Sequence, residues 1–249
     1  MLSEKGLMCR ISKFDRPLLE QPVTYRVVFC KRGNLQYFSH LDLQRTWQRV
    51  LVRASIPMWY TQGFNPHSKI IFGIPLPVGV EGLREMVDLR VDREISAEEM
   101  EQQLNAELTE EMTVSEVYIP TAPFSDIVWG QYELTLHAPN LTEDAVAAVH
   151  GLFSAGASPI VMTKRTKSGD KQVDILPMIR SLSAELTGDG TMAIHAVLAA
   201  GNAGSLNPEY LVTAMRERLG LLSDLSDPET CWYTILRTGF LTEDGQTFR

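Results

Sequence analysis

The chain has 249 residues, 44% hydrophobic and 22% charged, enough for one large domain or two small ones with cores of their own. It holds no apolar run of eighteen residues, and residues 1–23 lack the basic, apolar, small-residue order of a secretion signal. Cys9, Cys30 and Cys231 are odd in number and far apart, which argues against a disulfide framework. These features exclude a helical membrane span and an exported disulfide scaffold, and a reducing cytoplasm is the expected location.

The net charge of −8 disfavours nucleic acid, but the charges are unevenly placed. Tyr25–Ile74 carries Arg26, Lys31, Arg32, Arg45, Arg49, Arg53 and Lys69 against the single acid Asp42. Glu81–Glu116 carries twelve acids against Arg84, Arg90 and Arg93. Such a chain either has one positive face on an acidic body or scatters its charges over solvated surfaces.

Residues 1–23 read as an extension. Thr24–Lys31 is β-branched and aromatic, the composition of a strand. Ser39 stands where an N-cap belongs, with Asp42 three residues on. Leu43, Trp47, Val50, Leu51 and Ala54 then form an apolar stripe that predicts a helix over His40–Ser55. Pro57 ends it. Met58–Thr61 is extended, Gln62–Lys69 is a loop with Gly63 and Asn65-Pro66 turn chemistry, and Ile70–Ile74 is a strand. Met86–Val91 alternates as a half-buried strand. Ser96 caps a helix holding Met100, Leu104 and Leu108, and Val114–Ile119 is the next strand.

After the linker Pro120–Ser125 the same order returns. Gln131–His137 alternates as a strand, Thr142–Phe153 is a helix, and Ile160–Thr163 is extended into the basic segment Lys164–Lys171. Val173–Leu182 is apolar but broken by Pro177, which predicts a short inserted turn or helix. Met192–Leu198 is a strand, Glu209–Leu219 is a helix set between Pro208 and Gly220, and Cys231–Leu236 is the last strand. The expected fold is α+β: two tandem ferredoxin-like βαββαβ units over 24–120 and 126–241, each an antiparallel sheet with helices on one face, followed by a tail, 242–249.

Arg45, Arg49 and Arg53 lie at i, i+4 and i+8, away from the apolar stripe. Like charges at that spacing repel, so they point to an anionic partner. Guanidinium forks suit phosphate; the competing reading pairs these arginines with the acidic second helix around Glu98, Glu99, Glu101 and Glu107. In the loop, which begins at the candidate contact Gln62, Gly63 allows close backbone approach, Phe64 can stack on a base or plug the core, and Asn65 can read hydrogen-bonding edges. His67 and Lys69 can meet phosphate. Lys164, Arg165 and Lys167 form a second basic segment, either a solvated loop or a further contact. Ser39 is committed to its helix, so a Ser39/His40 nucleophile is disfavoured. His40 and His67 remain a possible acid–base pair. No CxxC, HExxH or third ligand is present, so no metal site is expected, and no cofactor site is expected either.

The block FSHLDLQRTWQRVLVRASIPMWYTQGFNPHSKIIFGIPLPVG (Phe38–Gly79) resembles the radical-SAM-linked protein family, domain of unknown function 2344. KQVDILPMIRSL (Lys171–Leu182), GSLNPEYLV (Gly204–Val212) and LRTGFL (Leu236–Leu241) are similar to it as well. The resemblance implies association with a radical-SAM protein, by fusion or as a separate partner, and an RNA context through ribonuclease G-type neighbours. The chain has no CxxxCxxC and cannot itself hold such an enzyme's cluster. Three functions follow as expectations. The first is a non-catalytic radical-SAM partner that binds RNA and presents it for modification or processing. The second is a metal-independent RNA-processing enzyme using His40 and His67. The third is an adaptor for a protein partner alone. Pseudouridine synthases share the paired-unit architecture by analogy only, and Asp174 is the nearest, weak match to a catalytic aspartate.

Overall fold

The computed structural model describes residues 15–166, 169–201 and 204–249. It is a mixed α+β structure with a mainly antiparallel sheet. In chain order the elements are β1 (Leu18–Lys31), α1 (His40–Arg53), β2 (Ile70–Phe72), β3 (Glu81–Arg93), α2 (Ala97–Asn105) and β4 (Val114–Tyr118). Then come β5 (Trp129–His137), α3 (Glu143–Leu152), β6 (Val161–Thr166), β7 (Gly169–Asp174), β8 (Ile179–Gly188), β9 (Thr191–Gly201), β10 (Gly204–Ser205), α4 (Glu209–Leu219) and β11 (Trp232–Leu241).

The strand order is β4-β1-β3-β2 in the first half and β11-β5-β9-β8 in the second. The two halves do not form separate sheets. Leu236 and Arg237 of β11 pair in parallel with Glu81 and Gly82 at the start of β3, which joins both halves into one nine-stranded sheet. β6 and β7 form a two-stranded hairpin outside it.

Each half buries its own helix pair. Trp47, Leu43, Val50 and Leu51 of α1, with Met100 and Leu104 of α2, pack on Val27, Phe29, Val87 and Leu89. Val149 of α3 and Leu211, Val212 and Met215 of α4 pack on Leu134, Leu136, Ile194 and Leu198. The loop after β2 contributes Leu76 and Val80 to this second core, so the junction is packed from both sides.

At the junction three charges are buried. Arg237 donates from Nε to Glu85 at 2.9 Å and from Nη2 at 2.5 Å, and also to the Ile74 carbonyl at 2.7 Å. Burial alone would lower the Arg237 pKa, but the Glu85 carboxylate beside it, aided by Tyr132, raises it above the usual range. Lys31 is 1% exposed and donates to the carbonyls of Gln36 and Phe38. Burial pushes its ammonium below the usual lysine range, opposed by Glu85 and reinforced by Arg237.

Several boundaries differ from the sequence-based expectation. β1 starts at Leu18, with an irregularity between Leu18 and Val23 where it meets β3, so the 1–23 extension supplies part of the strand. Val173–Leu182 divides into the end of β7, a 3-10 turn at Leu176–Met178 with Pro177 inside it, and the start of β8. The segment 242–249 is not a loose tail. It turns at Thr242–Gly245, Phe248 donates its backbone N–H to the Phe240 carbonyl, and its ring is buried.

Candidate functional site

Ser39 accepts the Asp42 N–H at 3.2 Å and donates its hydroxyl to the Asp42 carboxylate at 2.6 Å, which starts α1. The Ser39 hydroxyl, and behind it Arg45, holds the Asp42 carboxyl below the usual range. Opposite the buried stripe, α1 presents an outward face bearing Leu41, Arg45, Gln48, Arg49 and Val52, all exposed. Leu41 is 53% exposed and Val52 66%, an apolar component that charge spacing does not require.

The three arginines meet different fates. Arg53 reaches Glu107, Nε to Oε2 at 3.2 Å and Nη2 to its carbonyl at 3.0 Å, so here the acidic-neighbour reading holds. Arg45 stands 3.9 Å from Asp42 of its own helix. Arg49 is exposed and makes no ion pair among the described residues.

Beside α1 the chain folds into a hairpin. Thr61 N–H donates to the His67 carbonyl at 2.9 Å, Lys69 N–H to Trp59 O at 3.2 Å, and Trp59 N–H to Arg90 O on β3 at 2.7 Å. Gly63 has φ 138°, a conformation that favours glycine, and Gln62, Asn65 and Lys69 are exposed. Phe64 stands fully in solvent at the tip, so it does not plug the core. His67 holds Nδ1 at 3.1 Å from Thr61 Oγ1 and 3.2 Å from the Asn65 carbonyl.

Between hairpin and helix lies a cleft of about 200 Å³. Leu51, Ile56 and Met58 make its apolar floor, Val52 and Tyr60 its walls, and Gln48, His67 and Ser68 its polar rim. The cleft therefore brings His67 to the later turns of α1. His40 begins that helix and packs edge-on against Phe72 at 5.2 Å. Gln48, Val52, Tyr60 and Ser68 were not singled out from sequence. The available clue was Val52, an apolar residue diametrically off the buried stripe.

Lys164 and Arg165 lie on β6, their backbones paired with Lys171 and Asp170 of β7, and Lys167 falls outside the described residues. Asp174 accepts the N–H groups of Ile160 at 3.1 Å and Leu176 at 3.2 Å, which ties down the hairpin base. Among the described residues no three His, Cys, Asp or Glu side chains gather in a metal-holding group, and no helix is long and apolar enough to cross a membrane.

A family model described as "Uncharacterized protein conserved in bacteria (DUF2344)" matches residues 24–208. No curated protein matches the chain. Among solved structures, a chain of a Cbf5-Nop10-Gar1 complex aligns with 88% of this chain at 11% identity and a TM-score of 0.47. The aligned part is 50% of that protein, so this chain spans about half its length. An unknown protein from Galdieria sulphuraria aligns over 87% of this chain and 99% of its own at 13% identity and a TM-score of 0.26. At these scores neither likeness bears on function.

Proposed function

The chain belongs to this family of uncharacterized bacterial proteins, and from that premise we propose that it is a non-catalytic, cytoplasmic RNA-binding partner of a radical-SAM protein, presenting RNA for modification or processing. The radical-SAM partner rests on the resemblance of Phe38–Gly79. Each half is read as a ferredoxin-like unit, a reading supported by the strand orders β4-β1-β3-β2 and β11-β5-β9-β8. The RNA surface is the outward face of α1 together with the Trp59–Lys69 hairpin, and the basic segment with Lys164, Arg165 and Lys167 is a second contact.

One observation carries the reading. Phe64, whose ring lies wholly in solvent, stands at the tip of a hairpin that also carries exposed Asn65, His67 and Lys69, and that hairpin folds beside α1, whose outward face carries exposed Arg49. An exposed aromatic offers a stacking platform, and the cations offer phosphate contacts. Arg53, tied to Glu107, contributes less. The His40/His67 enzyme gains no support from the two rings' placement. The protein-only adaptor draws on the exposed aliphatic residues Leu41, Val52 and Ile71, and it predicts co-purification with the radical-SAM protein and indifference to RNA.

Salt-titrated binding of bulk tRNA separates these readings. Wild type binds at ~50 mM salt with affinity falling log-linearly, and Arg49→Ala weakens binding to all sequences and flattens the slope by about one unit. No binding at low salt would sink the RNA reading.

A further inference from the structure

At about 200 Å³ the cleft between α1 and the hairpin is smaller than the ~300–1,000 Å³ that encloses a whole small ligand. It fits one ring system, with the rest of the molecule outside. Its apolar floor and the Tyr60 ring suit a flat group. The rim is more selective. His67 Nδ1 is taken up by the Thr61 hydroxyl and the Asn65 carbonyl, so Nε2 is the hydrogen-bonding nitrogen of that ring left to a ligand. Gln48 adds a donor and an acceptor, and Ser68 a hydroxyl. A flat group filling the cleft thus meets hydrogen-bonding partners along its edge. An apolar side chain from a protein would leave them unpaired. Arg45 and Arg49 stand on the same outward face of the helix, where an anion attached to that ring would lie.

We infer that the cleft receives one unstacked nucleobase, with the flanking phosphates on Arg45 and Arg49, so that the protein selects single-stranded or looped RNA over duplex. This rests on the RNA-binding reading and narrows it: a base inside a duplex stack is unavailable to a slot of this kind.

The test uses the full chain and one RNA hairpin with 2-aminopurine in its loop, compared with a perfect duplex. Wild type is expected to change the 2-aminopurine fluorescence and to bind the duplex at least about fivefold more weakly. Val52→Trp fills the slot from an exposed position and leaves both arginines in place. It is expected to lose the fluorescence change and bind loop and duplex alike, with the salt slope unchanged. Gln48→Ala, also at an exposed position, carries the same test if the tryptophan lowers the thermal midpoint. Arg49→Ala weakens both RNAs equally. Equal affinity of wild type for loop and duplex, or an intact loop preference in both slot variants, overturns the inference and leaves RNA binding standing. Failure of wild type to bind any RNA removes both. Loss of radical-SAM protein capture in Val52→Trp without RNA binding gives the slot to a protein side chain and overturns the inference.

Discussion

The two halves repeat one strand order and differ in what covers the sheet's second face and in what they bury. In the first half the face away from α1 and α2 is capped by Phe124 and Phe248. They sit over the Arg26 guanidinium at 4.0 and 5.0 Å, while Asp88 accepts from Arg26 at 2.8 and 3.0 Å. In the second half no described segment covers the corresponding face where β5, β8 and β9 run side by side. Glu133, Ser183 and His195 lie side by side across β5, β8 and β9, in the open. The first half holds Arg26, Lys31 and Glu85 in its interior, and the second, among the described residues, buries Arg237 at the junction and otherwise packs a core of hydrocarbon. Exposed apolar residues also concentrate on the first half, at Leu41, Val52, Tyr60, Phe64 and Ile71. A shared topology thus sets where strands lie but not what they do; the candidate function sits on the half that departs further from an apolar core.

The sharpest way to break this contrast is at the junction. Glu85→Ala leaves Arg237 and Lys31 buried without a counter-charge, and a loss of about 3–5 kcal/mol is expected in denaturant unfolding. Combining Glu85→Leu with Arg237→Met should recover much of it, since an apolar pair of similar volume is often neutral. Recovery stays incomplete, because Lys31 still lacks its carboxylate. A loss below ~1 kcal/mol for Glu85→Ala would mean that water reaches these charges and that the halves do not differ in this way.

The two faces give the next comparison. Phe248 is 2% exposed on the Arg26 cage, so Phe248→Ala is expected to cost about 3 kcal/mol. His195, 3.9 Å from Glu133 and 56% exposed, should tolerate alanine within about 0.5 kcal/mol. Matching losses in urea unfolding would show that the second half's face is also covered in solution.

What could be read in advance follows the range of the interaction. α1 was legible because its cap (Ser39) and its stripe (Leu43, Trp47, Val50, Leu51) are local. α4 was legible for the same reason, between Pro208 and Gly220, which takes the left-handed φ of 66°. β8 was obscured by Pro177, which turns the chain at the fifth residue of an apolar run that then continues as strand. Arg26 was counted among the charges of a positive face, and neither its burial nor that of Arg237 was legible, because their partners, Asp88 and Glu85, come from another strand. The cleft was illegible for a related reason. Gln48 and Tyr60 meet only when the hairpin folds back beside α1, and nothing local to either residue records that contact. Phe64 shows the limit of pattern alone, since a buried and an exposed phenylalanine read identically.

A smaller loss than at the junction or at Phe248 belongs to an ion pair of the first half. Arg16, 5% exposed at its side chain, donates to both carboxylate oxygens of Glu99 on α2 and to the Glu94 carbonyl at 3.0 Å, pinning the chain just before β1. The hydrogen bonds from Arg16 hold the Glu99 carboxyl below its ordinary value of 4.5. A carboxyl depressed in the folded state stabilises fully above its unfolded value, and that stabilisation is lost as pH falls from about 4.5 through the folded value. Glu99→Gln should therefore cost about 1 kcal/mol at neutral pH and progressively less below pH ~4.5, so the two stability curves converge in acid. The acid limb is reduced rather than abolished, because Asp42, Asp224 and Asp244 are also held low. Parallel curves from pH 7 to pH 3 would show that Arg16 does not engage Glu99 in solution; convergence would place part of the acid sensitivity in the first half.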